Sequence, residues 1–265
     1  MIVSDAHRVA FVHIPKNAGT TVRTQLEPID SYANFFNEDK AFGALPRQWF
    51  GHLTPETLAE HFPDVFEKVR AYDAYAVVRD PFQRFVSATI HRLWEHRGIS
   101  RFEVTHEHVV AETRRLQVWL LAPVPAERPE YAHFLPQVEF TDFRGERIVN
   151  RLFAFEDLAG LEAELRTRTG LPLDFSRARN ANLAPSNRWT RVFHRFKPIY
   201  GRLTTWQQRE AFLLRLQRAG LISKGGFYAK ISADRELRAF VERFYAADFE
   251  LRRDVLSQTN GRPPP

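Results

Sequence analysis

The sequence predicts an α/β fold, a parallel sheet covered by helices on both faces. Three observations carry that expectation. Short β-rich apolar runs at residues 9–12, 73–78 and 148–155 alternate with stretches of helical periodicity. A turn of small residues joins the first run to an amphipathic segment, so strand, turn and helix follow one another directly. Hydrophobic residues make up 44% of the chain, with 23 Phe among them, enough to fill a core in 265 residues. No repeat, low-complexity tract or clean boundary stands out. One domain over residues 1–265 is expected, with residues 186–235 its least typical part, basic and helical.

The elements can be justified in order. Val9-Ala10-Phe11-Val12 reads as a strand, and Val22 and Leu26, four residues apart, mark the helix after it. Between them runs His13-Ile14-Pro15-Lys16-Asn17-Ala18-Gly19-Thr20-Thr21. Such a turn aims successive backbone N–H groups at one point, where the helix adds its positive end. Lys16 supplies a mobile charge, and Thr20 and Thr21 supply hydroxyl donors. The stretch describes a cradle for phosphate or sulfate, although alone it also fits an ordinary strand–turn–helix connection. It is not a Walker A loop, whose Lys follows the second Gly; here Lys16 precedes Gly19.

Residues 29–50 are aromatic and irregular, and Gly51-His52-Leu53 follows them. Thr54 and Pro55 form an N-cap and N1 pair for a short helix through His61, with a further helical turn at 64–70. Residues 73–79 read as the second strand. Asp80 caps a helix starting at Pro81, whose stripe is Phe82, Phe85, Val86, Thr89, Ile90, Leu93 and Trp94, with Arg84, Ser87 and His91 on another side. A Ser100-x-x-Glu103 capping box opens helix to about Leu121, and a Pro-rich connection occupies 122–146. The third strand is placed at 148–155, then a helix from Asp157 to Thr169 closed by Gly170. A basic region follows at 171–204. A helix then opens at Thr205-x-x-Gln208 and ends at Gly220, and a terminal helix runs from Leu237 to about Val255.

Composition excludes several classes. With no cysteine, there is no disulfide framework and no Cys-ligated metal site. None of the ten histidines falls in a convincing zinc pattern, His106-x-His108 included, so no metal is expected. No apolar run spans a bilayer and the first strand begins almost at once, which makes cytoplasmic the expected compartment. The net charge is +6, and only six of the 38 basic residues are lysine. Arginine suits two-pronged recognition of phosphate, sulfate and carboxylate, though a genomic codon bias gives the same count. From Ser176 to Gln208 there is no acidic residue, while Arg177, Arg179, Arg188, Arg191, Arg195, Lys197 and Arg202 are present.

In open α/β sheets ligands bind at the carboxyl edge, so the Arg79-Asp80-Pro81-Phe82-Gln83-Arg84-Phe85-Val86-Ser87 turn should face the Lys16 loop. Arg79 and Ser87 could complete a second anion site. Alone, the string reads rather as Arg79 pairing with Asp80 or a neighbour and Ser87 as a solvated helix residue.

Two such stretches make the chain resemble the sulfotransferases that use 3′-phosphoadenosine 5′-phosphosulfate (PAPS), within them the carbohydrate group that includes heparan sulfate O-sulfotransferases. Residues 13–21 are similar to the family's 5′-phosphosulfate loop and residues 79–87 to its 3′-phosphate site. Phe50-Gly51-His52, Pro136-Gln137-Val138-Glu139-Phe140, Phe155-Glu156-Asp157-Leu158 and Tyr245-Ala246-Ala247-Asp248-Phe249-Glu250-Leu251 follow in family order. The resemblance implies a P-loop NTPase-like three-layer sandwich with a central parallel sheet. It implies that N–H groups of Asn17, Ala18, Gly19, Thr20 and Thr21, with the two Thr hydroxyls, hold the phosphosulfate. Lys16 would neutralise the bridging oxygen, Arg79 and Ser87 would bind the 3′-phosphate, and His52 would be the general base. The acceptor would be a hydroxyl, expected on a sugar or glycan, and the product 3′,5′-adenosine bisphosphate (PAP).

Sulfuryl transfer needs in-line positioning and charge stabilisation more than covalent help, and an imidazole can deprotonate a hydroxyl at neutral pH. Glu56, soon after His52 in the chain, could orient it; His13 is expected to shape the turn or touch substrate, and His91 and His133 are rival bases. Asn182 and Lys224-Gly225-Gly226 are weaker nucleotide candidates, equally turn residues. Two other classes stay open. A P-loop kinase or NTPase would require magnesium. A polyanion-binding module would show steep salt dependence, although no nucleic-acid motif is present.

Overall fold

The computed structural model describes residues 1–99, 104–122, 132–176, 184–185, 215, 222–223 and 231–260. Two compact units make up the chain. The first comprises Met1–Ala88, Pro123–Arg179 and Val241–Pro265, the second Thr89–Ala122 and Asn180–Phe240.

In the first unit, β1 (Ile2–Ser4) and β2 (Val9–Phe11) precede α1 (Gly19–Leu26). A hairpin, β3 (Asp39–Phe42) and β4 (Leu45–Trp49), occupies part of the region read as irregular. Then come α2 (Pro55–His61), α3 (Pro63–Ala71), β5 (Asp73–Val78) and the start of α4 (Pro81–His96). The second unit takes over within α4 and contains α5 (His106–Leu121).

Back in the first unit, one turn of helix, α6 (Val138–Thr141), leads to a two-residue hairpin, β6 (Asp142–Phe143) and β7 (Glu146–Arg147). β8 (Arg151–Ala154) and α7 (Leu158–Thr169) follow. The second unit also holds a short ladder, β9 (Ala184–Pro185) with β10 (Ile222–Ser223). α8 (Arg235–Phe244) and α9 (Ala246–Asn260) divide what was read as one terminal helix, interrupted at Tyr245.

The central sheet has the order β1-β2-β5-β8. β2, β5 and β8 are parallel, with Phe11 opposite Tyr75 and Val78 opposite Ala154. β1 lies antiparallel on the edge, Ile2 facing Phe11, which corrects the all-parallel expectation. Three residues are too few to show a period of two, so this strand carried no sequence signal.

Alternation along the strands sorts the core onto two faces. Val9, Phe11, Tyr75, Val77 and Phe153 pack with Val22 and Leu26 of α1 and Leu161 and Leu165 of α7. Ala10, Ala74, Ala76, Val78 and Leu152 pack with Leu58 of α2, Val65, Phe66 and Val69 of α3, and Leu251 and Val255 of α9. The alanines let helices on that side approach the sheet closely.

The caps fall largely where the sequence put them. Thr54 accepts from the Thr57 amide, Asp80 from the Gln83 amide at 2.9 Å, and Asp157 from the Gly160 amide, while Gly170 ends α7 in the left-handed region. Along α4 the stripe is buried except Trp94, which is 41% exposed. The other side of α4 is buried as well: Arg84 and Ser87 are 1% and 6% exposed. The Ser100–Glu103 capping box lies outside the described residues. α5 is capped instead by Thr105, which exchanges bonds with His108, giving that histidine a structural role. The other features outside the described residues are the 205–220 helix apart from residue 215, Asn182, Lys224-Gly225-Gly226 and nearly all of the basic stretch. No helix among the described residues is long and apolar enough to cross a membrane.

Candidate active site

The loop after β2 owes its shape to unusual backbone at two positions. Lys16 and Ala18 both adopt positive φ, 69° and 60°, where a side chain is disfavoured by roughly 1–2 kcal/mol. Ala18 stands at the N-cap of α1, with no side-chain cap bond and no acidic residue in the first turn. The leading amides of α1 therefore keep their positive end unneutralised by a side chain.

What holds the loop in this shape is the corner between β5 and α4. The Arg84 Nε donates to the Pro15 carbonyl at 3.0 Å, and the Arg79 Nη1 donates to the Lys16 carbonyl at 3.1 Å. The Asn17 side chain donates through Nδ2 to the Val77 carbonyl at 2.7 Å and to Gln137 Oε1 at 2.6 Å. Three consecutive loop residues are thus tied to one corner. Across a trans peptide the N–H points opposite the carbonyl, so the amides of Lys16 and Asn17 face away from the two arginines.

Gln137 is the joint of this assembly. Its Oε1 also accepts from the Arg79 amide at 2.9 Å, and its Nε2 donates to the Arg79 carbonyl at 2.9 Å. Asp248 on α9 accepts from the Gln137 and Val138 amides at 2.8 and 3.1 Å. Burial pushes the Asp248 carboxyl above its ordinary value, against the pull of Arg84. Burial likewise lowers the Arg84 guanidinium, opposed by Asp248 and Tyr245. The Arg79 guanidinium also lies over the Phe155 ring at 4.6 Å.

His52 sits half-buried beside the loop. Its Nδ1 donates to the His13 carbonyl at 3.1 Å, leaving the Nε2 lone pair as the basic position. The His13 ring meets it edge-on at 4.5 Å between centroids, and the His133 ring at 5.5 Å. Burial, then the neighbouring His13, hold His52 well below the usual 6.5, so the ring is neutral at neutral pH.

Residues 1–144 match the model of the sulfotransferase family. The chain belongs to that family. No curated protein and no solved structure matches it. The matched span takes in the Lys16 loop, His52, the Arg79–Ser87 corner and Gln137, and stops before α7 and α9.

Within this sulfotransferase, most residues singled out from the sequence do converge. Lys16, Asn17 and Arg79 are tied together, and His52 bonds the residue that opens the loop. Arg79 does not take Asp80 as the partner seen here; it braces the loop and Phe155. Ser87 lies in the second turn of α4 and, among the described residues, makes no hydrogen bond to Arg79. The expected orientation of His52 by Glu56 is corrected: Glu56 is exposed, and the His13 carbonyl holds the ring. His91 pairs with Glu95 of its own helix at 2.8 Å. Arg84, Gln137 and Asp248 were not read as working parts. Each lies within a stretch quoted for the family resemblance, which is where their signal was.

Proposed function

We propose that this sulfotransferase transfers the sulfuryl group of PAPS to a hydroxyl of a sugar or glycan by in-line attack, on a P-loop NTPase-like scaffold. The donor, when bound, supplies the activated sulfuryl group and its phosphate leaving group; the chain supplies position, charge and a base. The site suits such a polyanion. The α1 N-terminus carries no acidic side chain, and the buried Asn17 Oδ1 makes no hydrogen bond among the described residues.

In this reading the amides of Asn17, Ala18, Gly19, Thr20 and Thr21 hold the phosphosulfate with the Thr20 and Thr21 hydroxyls. Lys16 neutralises charge as the sulfur–oxygen bond breaks, and Arg79 with Ser87 receives the 3′-phosphate. His52 takes the acceptor's proton at Nε2. The observation that supports the reading most is the mounting of base and cradle on one piece of chain: His52 hangs on the carbonyl of His13, six residues before α1 begins. For the acceptor, Trp49 lies half-buried at the end of β4, three residues before the base, and an indole face suits a sugar ring.

Calorimetric titration with PAP, beside AMP and ATP, tests the donor site. PAP should bind at least about tenfold more tightly than AMP, a margin of ~1.4 kcal/mol that Arg79→Ala removes. Equal binding of AMP would overturn the 3′-phosphate assignment. Transfer of labelled sulfate to a sugar panel, set beside aryl alcohols, tests the acceptor, and His52→Ala should abolish it.

A further inference from the structure

His13 is placed where neither stability nor the loop's shape accounts for an imidazole. The ring is 6% exposed, and its Nδ1 makes no hydrogen bond among the described residues. A buried polar atom left unpaired is costly, so a phenyl or leucyl group would serve the core better. The ring also fills the space beside Gly19. A Cβ added there would stand 1.7 Å from the His13 Cδ2 and 2.1 Å from its Nε2. On its other side the same ring meets His52 at 4.5 Å, with the His13 carbonyl fixing the His52 Nδ1. One side chain therefore touches both the first turn of α1 and the base.

We propose that His13 is a positioning residue for His52: its imidazole, wedged between Gly19 and the base, keeps base and anion loop in one register and competes with His52 for its proton. The inference rests on the sulfotransferase reading with His52 as the base. Two imidazoles this close do not both hold a proton, and they titrate as a pair. The charged and titratable groups that bear on the pair are Lys16, Arg23, His133 and the Met1 amine, and none is acidic. The charges of Lys16 and Arg23 thus discourage a proton on the pair, against the His13 carbonyl that favours one on His52, keeping the His52 Nε2 ready to accept one from the acceptor hydroxyl.

The test combines His13→Ala, His13→Phe, Gly19→Ala and the His13→Ala/Gly19→Ala double variant, read by kcat, PAP affinity and urea midpoint. Removing the ring should lower kcat about a hundredfold, the cost of a base misplaced by an ångström, with PAP affinity nearly unchanged. His13→Phe should restore most of kcat. Its acid limb should move to higher pH, because His52 no longer shares its proton with a rival. Gly19→Ala should lose at least about tenfold in PAP affinity by driving against the ring. The double variant should recover that affinity without recovering kcat, and the urea cost of Gly19→Ala should shrink in the His13→Ala background. Parallel loss of affinity and kcat in His13→Ala would reduce His13 to a loop-shaping residue and overturn the proposal, as would additive urea midpoints. If His52→Ala keeps full activity, the reading of the base fails, whatever the His13 and Gly19 variants show in urea.

Discussion

Lowering the pH from about 7.5 to about 5.5 should weaken the fold through His13 and His52, and the amount follows from linkage. Burial holds both rings well below their ordinary 6.5. In the unfolded chain each takes a proton near 6.5, while in the fold each stays neutral. Their stabilising contribution is therefore complete above 6.5 and is lost as the pH falls toward the folded values. Over that two-unit interval each ring costs about 1.4 kcal/mol, and the pair about 2.7 kcal/mol, if the folded rings bind no proton. The Met1 amine, lowered by burial from 8.0 to about 4, acts in the same direction. A difference between variants isolates the histidines from it. Urea unfolding of the wild type and His13→Phe, at fixed ionic strength and three pH values in this interval, gives the two dependences. The variant should lose at least about 1.4 kcal/mol less than the wild type across it. Parallel dependences would mean that His13 is protonated in the fold, and the argument for a neutral pair would fall.

Two further outcomes follow from the ties behind the loop. Gln137→Ala leaves the Asn17 side-chain Nδ2 and the Arg79 backbone with unmade bonds, and should cost about 2–3 kcal/mol in urea unfolding while weakening PAP binding. Arg84→Met removes a buried cation that holds the Pro15 carbonyl and faces Asp248, and should cost about 3 kcal/mol. That loss should shrink in an Arg84→Met/Asp248→Asn pair, as a double-mutant cycle would show.

Much of the framework was legible because it rests on local signals. The apolar runs gave β2 and β5, and the pairs Thr54-Pro55 and Asp80-Pro81 gave the starts of α2 and α4. Asp157 and Gly170 bounded α7. β8 proved shorter than the run that announced it, Arg151–Ala154 within 148–155, because pairing with β5 sets its length rather than hydrophobicity. Of the site, the residues of the loop and the corner were legible by type and spacing. Their ties were not: Asn17 meets Gln137 across 120 positions, and Gln137 meets Asp248 across 111. No local pattern encodes such partners. Glu56 misled for the complementary reason, since nearness in sequence to His52 did not turn its side chain toward the ring.

The tie from Asp248 through Gln137 to Asn17 also has a meaning in time. A ribosome issues the anion loop early and residue 248 more than two hundred residues later. At about 5–20 residues per second that interval is roughly 10–50 s. Throughout it the carbonyl-clamped shape of residues 15–17 lacks its final anchor, so a nascent chain should hold no nucleotide. Donor capture then becomes a property of the finished polypeptide, and a frameshift or stop codon upstream of α9 would yield a product that carries every motif of the site and binds nothing.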